Sequence, residues 1–185
     1  MERIMVVGIS AGAGKSTFAR QLGGALGLKV VHLDTLYWKP GWVEAPTEEF
    51  REAQRQAVQG KNWIIEGNYT DSIDIRMERA DTIIYLELPL YVCLYRVVKR
   101  RIMNAGKTRL DMTAGCNEKL DWDFLKFILS TYYPRKKKMQ KRFADFKGRG
   151  ENKNVIELNS KQKIRTFLAE LENGKTDKNL KGISP

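Results

Sequence analysis

Gly8-Ile9-Ser10-Ala11-Gly12-Ala13-Gly14-Lys15-Ser16-Thr17 decides how this chain is read. Just upstream, Arg3–Ile9 (RIMVVGI) is a short β-branched run that predicts a buried strand. Downstream, Phe18, Ala19, Leu22, Ala25 and Leu26 recur at helical spacing until Gly27 stops them. A glycine-rich turn between a strand and a helix lets backbone N–H groups converge on phosphate oxygens, and the helix N-terminus adds the positive end of its dipole. In such a loop Lys15 reaches the β- and γ-phosphates of a nucleoside triphosphate, and the Ser16 hydroxyl ligates Mg²⁺. Gly12, Ala13, Gly14, Lys15, Ser16 and Thr17 are therefore the expected nucleotide-binding residues. One departure stands out. The strict pattern G-x-x-x-x-G-K-[ST] has glycine at position 9, where this chain carries Ile9, with Gly8 one residue early.

Further along the chain, four more short runs read as strands: Lys29–Leu33 (KVVHL) ending at Asp34, Asn62–Glu66 (NWIIE) ended by Gly67, Thr82–Leu88 (TIIYLEL), and Asn154–Leu158 (NVIEL). Helical patterns separate them, over Thr47 to about Gln59, Asp71–Arg79, Pro89 to about Met103, Trp122–Phe146 and Lys161–Glu172. Pro134 is expected to kink or split the fourth of these. Tyr37–Ala45, with a proline, a glycine and two tryptophans, reads as a structured loop, and 104–121 as a mobile one. Strands alternating with helices predict an α/β fold: a five-stranded parallel sheet with helices on both faces. The expected organisation is one domain over 1–172, with a basic lid at roughly 100–122 and a flexible tail over 173–185. Ligands of such sheets bind beyond the carboxyl ends of the strands. That rule gathers Ile9–Lys15, Asp34, Gly67 and Leu88 at one edge.

A chain of 185 residues can bury one full α/β core. Its net charge of +11 attracts polyanions, whether nucleic acid or nucleotide phosphate, so the position of the charges matters more than their sum. The longest apolar stretches, Met5–Ile9 and Leu86–Leu94, fall well short of the ~20 residues of a spanning helix. The N-terminus enters a strand with no signal-peptide pattern, and Cys93 and Cys116 have neither metal-ligand nor CxxC spacing. The expectation is a reduced, cytoplasmic protein with no membrane partner.

The order of strand, phosphate loop and helix, followed by Asp34 and a basic lid segment, resembles the nucleoside monophosphate kinase group of P-loop proteins, which includes adenylate and shikimate kinases. GISAGAGKSTFARQLG, HLDTLYWKPGW, WIIEGNY and TYYPRKKK together resemble, over roughly residues 1–170, bacterial proteins described as DNA topology modulation proteins or adenylate kinase-related kinases. The resemblance implies a kinase that uses ATP and Mg²⁺. Within it, Glu87–Arg101 is similar to the adenylate kinase segment that runs from the fourth strand into the lid. That similarity implies phosphate contacts for Arg96 and Arg100, and Arg135 is implied to reach the transferring phosphate. The residues themselves agree: Arg96, Arg100 and Arg101 fall within about one and a half helical turns, and planar guanidinium groups suit bidentate phosphate contacts. Adenylate kinases carry an arginine shortly after the third strand to hold the acceptor phosphate. Here that stretch is Glu66-Gly67-Asn68-Tyr69-Thr70, and the nearest arginine is Arg76.

Phosphoryl transfer needs positioning, charge neutralisation and a group that orients the acceptor hydroxyl. Asp34 is the first candidate for that group, so Lys15, Asp34, Arg96, Arg100 and Arg135 form the expected catalytic set. Asp34, Trp38 and Arg76 are the expected acceptor contacts. Trp38 clusters with Tyr37 and Trp42, which suits either stacking on a base or sugar, or a small core beneath the lid. Ser16 and Glu66 are the expected Mg²⁺ residues, Glu66 through a metal-bound water, and His32 reads as packing within its strand. The function expected is transfer of the ATP γ-phosphate to a nucleotide, nucleoside or other small hydroxyl compound. The alternative is a nucleic-acid-binding P-loop ATPase linked to DNA topology, with Arg135–Arg149 as the binding run.

Overall fold

Strand β1 (Arg3–Gly8) is buried at every position after Arg3, and Ile4, Met5 and Val6 are fully buried. A strand covered on both faces needs an apolar residue at every position, which is why its run is continuous rather than alternating. β1 is the middle strand of a parallel sheet. It pairs with β5 (Trp63–Glu66) on one side and β6 (Thr82–Leu86) on the other. The edge strands are β2 (Val30–His32) beside β5 and β7 (Asn154–Leu158) beside β6, giving the order β2-β5-β1-β6-β7. This computed structural model describes residues 1–103, 111–116 and 121–181, with 174–181 as backbone alone.

Among the described residues, seven α-helices complete the α/β fold, on both faces of the sheet: α1 (Lys15–Leu26), α2 (Leu33–Tyr37), α3 (Thr47–Ala57), α4 (Ile73–Arg79), α5 (Leu90–Met103), α6 (Trp122–Gly148) and α7 (Lys161–Lys181). Phe18 of α1 meets Phe167 of α7 at 6.1 Å, and Tyr85 of β6 meets Phe143 of α6 edge-on at 5.1 Å. The expected five-stranded parallel sheet is therefore present, with all five strands where the periodicity puts them.

Four local expectations change. Tyr37–Ala45 is not a loop throughout: α2 ends at Tyr37, and a hairpin of β3 (Trp38–Lys39) and β4 (Val43–Glu44) follows. Strands of two residues are too short to leave a periodicity. The segment between Asp34 and β5 thus holds two helices rather than one. Pro134 does not split its helix. α6 runs through it as a single element, pinned nearby by the Tyr132 hydroxyl donating to Leu88 O at 2.9 Å. Finally, α7 continues past Glu172 to Lys181. Of the lid expected over 100–122, residues 104–110 and 117–120 lie outside the described residues.

The N-terminal end of the sheet is closed by Asp81. Its carboxylate accepts from the backbone N–H groups of Glu2 (2.9 Å) and Arg3 (2.8 Å) and from the Thr82 hydroxyl (2.6 Å). Burial alone would raise this carboxyl, but those hydrogen bonds together outweigh it and hold it below its ordinary value. A depressed carboxylate contributes stability above its unfolded pKa of about 3.9, and loses it as pH falls through the lower folded value. Asp81→Ala is expected to cost about 1–3 kcal/mol in urea unfolding at pH 7. The gap to wild type should close as the pH drops below about 3.9.

Candidate active site

The phosphate loop leaves the end of β1 and turns into α1. Ile9, in the place where the strict motif has glycine, is fully buried, and its N–H donates to Leu86 O at 2.9 Å. β1 pairing with β6 therefore extends by one residue before the turn begins. Gly12 and Gly14 both take positive φ, 78° and 91°. At Gly12 this is reinforced by a close approach, since a Cβ there would lie 2.2 Å from Cys93 O in the first turns of α5. Only a residue without a side chain lets α5 seat against the loop. The N-cap of α1, Gly14, supplies no side-chain cap, and the first turn holds no acidic residue. The opening N–H groups of a helix have no intrahelical partner, so this end is built to receive an anion.

Cationic side chains converge on the loop from three directions. Lys15 Nζ lies 3.5 Å from Ser10 O, its stem crossing Gly8. Arg96 of α5 donates from Nη1 to Ala13 O at 3.2 Å. Arg135 of α6 donates from Nη1 to Ile9 O at 3.1 Å and lies over the Phe127 ring, 5.5 Å from its centroid. Burial pushes the Arg135 guanidinium below its usual value. Arg100 lines the same cavity. The expected catalytic arginines are thus brought together around Gly12–Thr17, although they come from two distant helices.

On the opposite side of β1, the ends of β2 and β5 supply carboxylates. Asp34 lies in the first turn of α2 and accepts from the Tyr69 hydroxyl at 2.6 Å. Glu66, at the end of β5, is almost fully buried, with His32 Nδ1–H donating to its Oε2 at 2.9 Å. His32 thus fixes Glu66 rather than merely packing in β2. Asn68 accepts from the Gly8 N–H at 3.0 Å and ties the β5 loop to the phosphate loop. Trp38 and Trp42 stack edge to face at 5.2 Å, and Trp42 holds a positive φ of 66°. Burial first, then a hydrogen bond to Glu44, pushes the Tyr37 hydroxyl above its usual range. Asp34, Tyr37, Trp38, Trp42, Glu66, Asn68 and Tyr69 line one cavity of about 1870 Å³, which also contains the phosphate loop. That is larger than the ~300–1,000 Å³ typical of a single small-ligand site.

Arg76 is a correction. It was the expected grip on an anionic acceptor, yet it is fully buried and does not line the cavity. Its guanidinium donates to Gly67 O (2.8 Å), Asn68 O (3.4 Å) and Tyr69 O (2.9 Å). It shapes the β5–α4 loop from behind, and desolvation lowers it to about 9. Tyr69 and Asn68 are the residues that motif reading passes over. Both fall within the quoted WIIEGNY and Glu66–Thr70 stretches, which attach no role to either.

No protein-family model matches the chain, and no curated protein matches it. Solved structures do. The gluconokinase of Sinorhizobium meliloti 1021 superposes with a TM-score of 0.52 at 16% identity, covering 100% of this chain and 98% of that one. The shikimate kinase of Bacteroides thetaiotaomicron gives 0.51 at 18% identity, with 93% and 97% covered. The shikimate kinase of Acinetobacter baumannii, in complex with shikimate, gives 0.50 at 18%, with 97% and 96% covered. The fold is that of P-loop kinases. The likeness extends over nearly the whole chain and shows a shared fold. Among the described residues, no helix is long and apolar enough to cross a membrane.

Proposed function

We propose that the protein is a Mg²⁺-ATP-dependent phosphotransferase that moves the terminal phosphate of ATP to a small hydroxyl compound. The observation that carries this reading is a phosphate loop and a hydrogen-bonded carboxylate, Asp34, in one cavity roomy enough for donor and acceptor together. The loop suits a triphosphate. Ser10 Oγ is buried with no protein partner, the α1 N-terminus has no side-chain cap, and three cationic groups face the turn.

Mg²⁺ fits the same donor set. Among the described residues no group of three or more His, Cys, Asp or Glu side chains gathers to cage a metal alone. A metal here would be shared between phosphate oxygens and Ser16, with Glu66 holding a bound water, a mode that Mg²⁺ favours. Bound there, it would neutralise charge on the β- and γ-phosphate oxygens.

Transfer forms a bond between the acceptor oxygen and the terminal phosphorus and breaks the bond to the bridging oxygen of the leaving diphosphate. The acceptor's proton passes to Asp34. Lys15, Arg96 and Arg135 stabilise charge that spreads over the phosphoryl oxygens, and Arg100 closes from α5. Tyr69 acts as a positioning residue that holds the Asp34 carboxylate. Tyr69→Phe keeps the ring tilted against Tyr37 and Phe50, with centroids 4.8 Å from each. It should lower kcat about tenfold or more, the loss of one charge-assisted hydrogen bond, while ATP affinity and Tm hold.

The test is ³¹P NMR of ATP, Mg²⁺ and a panel of small hydroxyl compounds. A new phosphomonoester signal rising with ADP, and lost in Asp34→Asn, supports the reading. ADP accompanied only by inorganic phosphate counts against it.

The Arg135–Arg149 run gives the nucleic-acid alternative little support. Arg135 is turned to the phosphate loop and Arg142 donates to Thr70 O at 3.1 Å. Lys136 pairs with Glu87 at 2.6 Å, and Arg149 pairs with Asp145 at 2.7 Å.

A further inference from the structure

The loop between β5 and α4 joins the two halves of the site. Asn68 accepts from the Gly8 N–H beside the phosphate loop at 3.0 Å, and the next residue, Tyr69, donates to Asp34 at 2.6 Å. Adjacent residues lie ~3.8 Å apart along the chain, so these two contacts leave little slack between the donor's loop and the acceptor's carboxylate. The loop leaves the sheet after Gly67, whose N–H donates to Val6 O at 3.1 Å. Its carbonyls then need donors from outside the sheet.

Three helices supply them. Arg76 of α4 donates to Gly67 O, Asn68 O and Tyr69 O at 2.8, 3.4 and 2.9 Å. Arg142 of α6 donates to Thr70 O at 3.1 Å, and Arg51 of α3 to Asp71 O at 3.0 Å. Five successive carbonyls are thus turned onto guanidinium groups. Residues 67–71 line the cavity, whereas none of these three arginines does. Behind the loop, the Arg142 charge is near enough to count against that of Arg76. Two such groups repel, and apolar side chains would fill the same space without that cost. What the donors add is the direction in which each carbonyl points. Arg142 also makes a second connection. It follows Arg135 by two helical turns on the same face of α6, and Arg135 donates to Ile9 O of the phosphate loop at 3.1 Å. One helix therefore grips both loops.

We infer that Arg142 is a positioning residue for the transfer: it fixes Thr70 O from α6 and, through the adjoining Tyr69, keeps Asp34 aligned with the phosphate that Arg135 approaches from the same helix. The inference rests on the phosphotransferase reading above. It deepens that reading by naming what sets the acceptor's carboxylate at its distance from the donor. Arg76 serves the same loop, but it is fully buried and holds three carbonyls at once. Arg142 is partly exposed and holds only the end next to Tyr69, which makes it the cleaner probe.

Arg142→Ala should lower kcat about tenfold, to the level of Tyr69→Phe, while the Kd for ATP holds because Arg76 still fixes Asn68. Arg142→Lys keeps a charged donor and should recover most of the rate. The double variant with Tyr69→Phe should be no slower than Tyr69→Phe alone, since both changes act through one hydroxyl. Arg149→Ala, which removes a charge paired with Asp145 on the same helix, is the control and should leave kcat unchanged. A wild-type kcat in Arg142→Ala, an ATP affinity that falls with the rate, or losses that multiply to about a hundredfold in the double variant would each overturn the inference. A second readout needs no reaction. With tyrosine labelled with ¹³C at Cζ, the Tyr69 resonance, identified by its loss in Tyr69→Phe, should shift in Arg142→Ala and stay in place in Arg149→Ala. That shift, in a protein that transfers phosphate to no small compound, would keep the Arg142–Tyr69 link and remove the kinase reading. Transfer by the wild type, with an unmoved Tyr69 resonance in Arg142→Ala, would do the reverse.

Discussion

Lys15→Ala should lower phosphate transfer by at least about a thousandfold, the lower end of what charge-stabilising groups supply in phosphoryl transfer. Lys15 is the one flexible cation on the loop itself, and its Nζ lies 3.5 Å from Ser10 O at the mouth of the turn. No core packing depends on it, because its stem merely crosses Gly8. Tm should therefore stay within a few degrees of wild type. Lys15→Arg should not restore the rate, since a planar guanidinium cannot replace a compact ammonium in so tight a turn. Single-turnover transfer measured beside a melting curve checks both halves. A rate within tenfold of wild type would remove Lys15 from the mechanism.

Gly12→Ala should fail for a different reason. At φ 78° an alanine is strained, and its Cβ would lie 2.2 Å from Cys93 O, a backbone atom that cannot swing aside. Relief requires α5 to lift away from the loop, and α5 carries Arg96 and Arg100. Stability should fall by roughly 3–5 kcal/mol, in the range reserved for a severe clash. In a chain of this size that lowers Tm by about 10 °C. Transfer should be lost even where the protein stays folded. Gly14→Ala is the control. It has a similar φ of 91°, but its Cβ would meet only Arg96 Nη1, at 2.9 Å, the tip of a flexible side chain. Its Tm should drop less, with the rate loss confined to the contribution of Arg96. Equal melting of the two variants would contradict the account of how α5 seats on the loop.

What could be read from the sequence follows from range. Strand β1, the loop and α1 are encoded within adjacent residues, so Gly12–Thr17 could be placed by motif and periodicity alone. Asp34 was placed because it lies just beyond a strand end, whereas Arg96 and Arg100 were implied by the resemblance to adenylate kinases; all three line the cavity. Arg76 misled because nothing local shows that it turns inward to three carbonyls of the β5–α4 loop. Tyr69 was missed for the mirror reason, since its partner Asp34 belongs to a strand end reached only through the sheet order. The β3–β4 hairpin holds two residues per strand, below the length at which alternation carries information. In the Arg135–Arg149 run only contacts distant in sequence show that Arg135 and Arg142 point inward, while Lys137, Lys138, Lys141 and Lys147 are exposed.

One measurement tests the central claim most directly. ATP labelled at its terminal phosphate is incubated with Mg²⁺, the protein and a mixture of small hydroxyl compounds, and the label is followed with and without DNA. The account predicts label on one small molecule, independent of DNA and absent from Lys15→Ala. Label released only as inorganic phosphate, and faster when DNA is added, would contradict it.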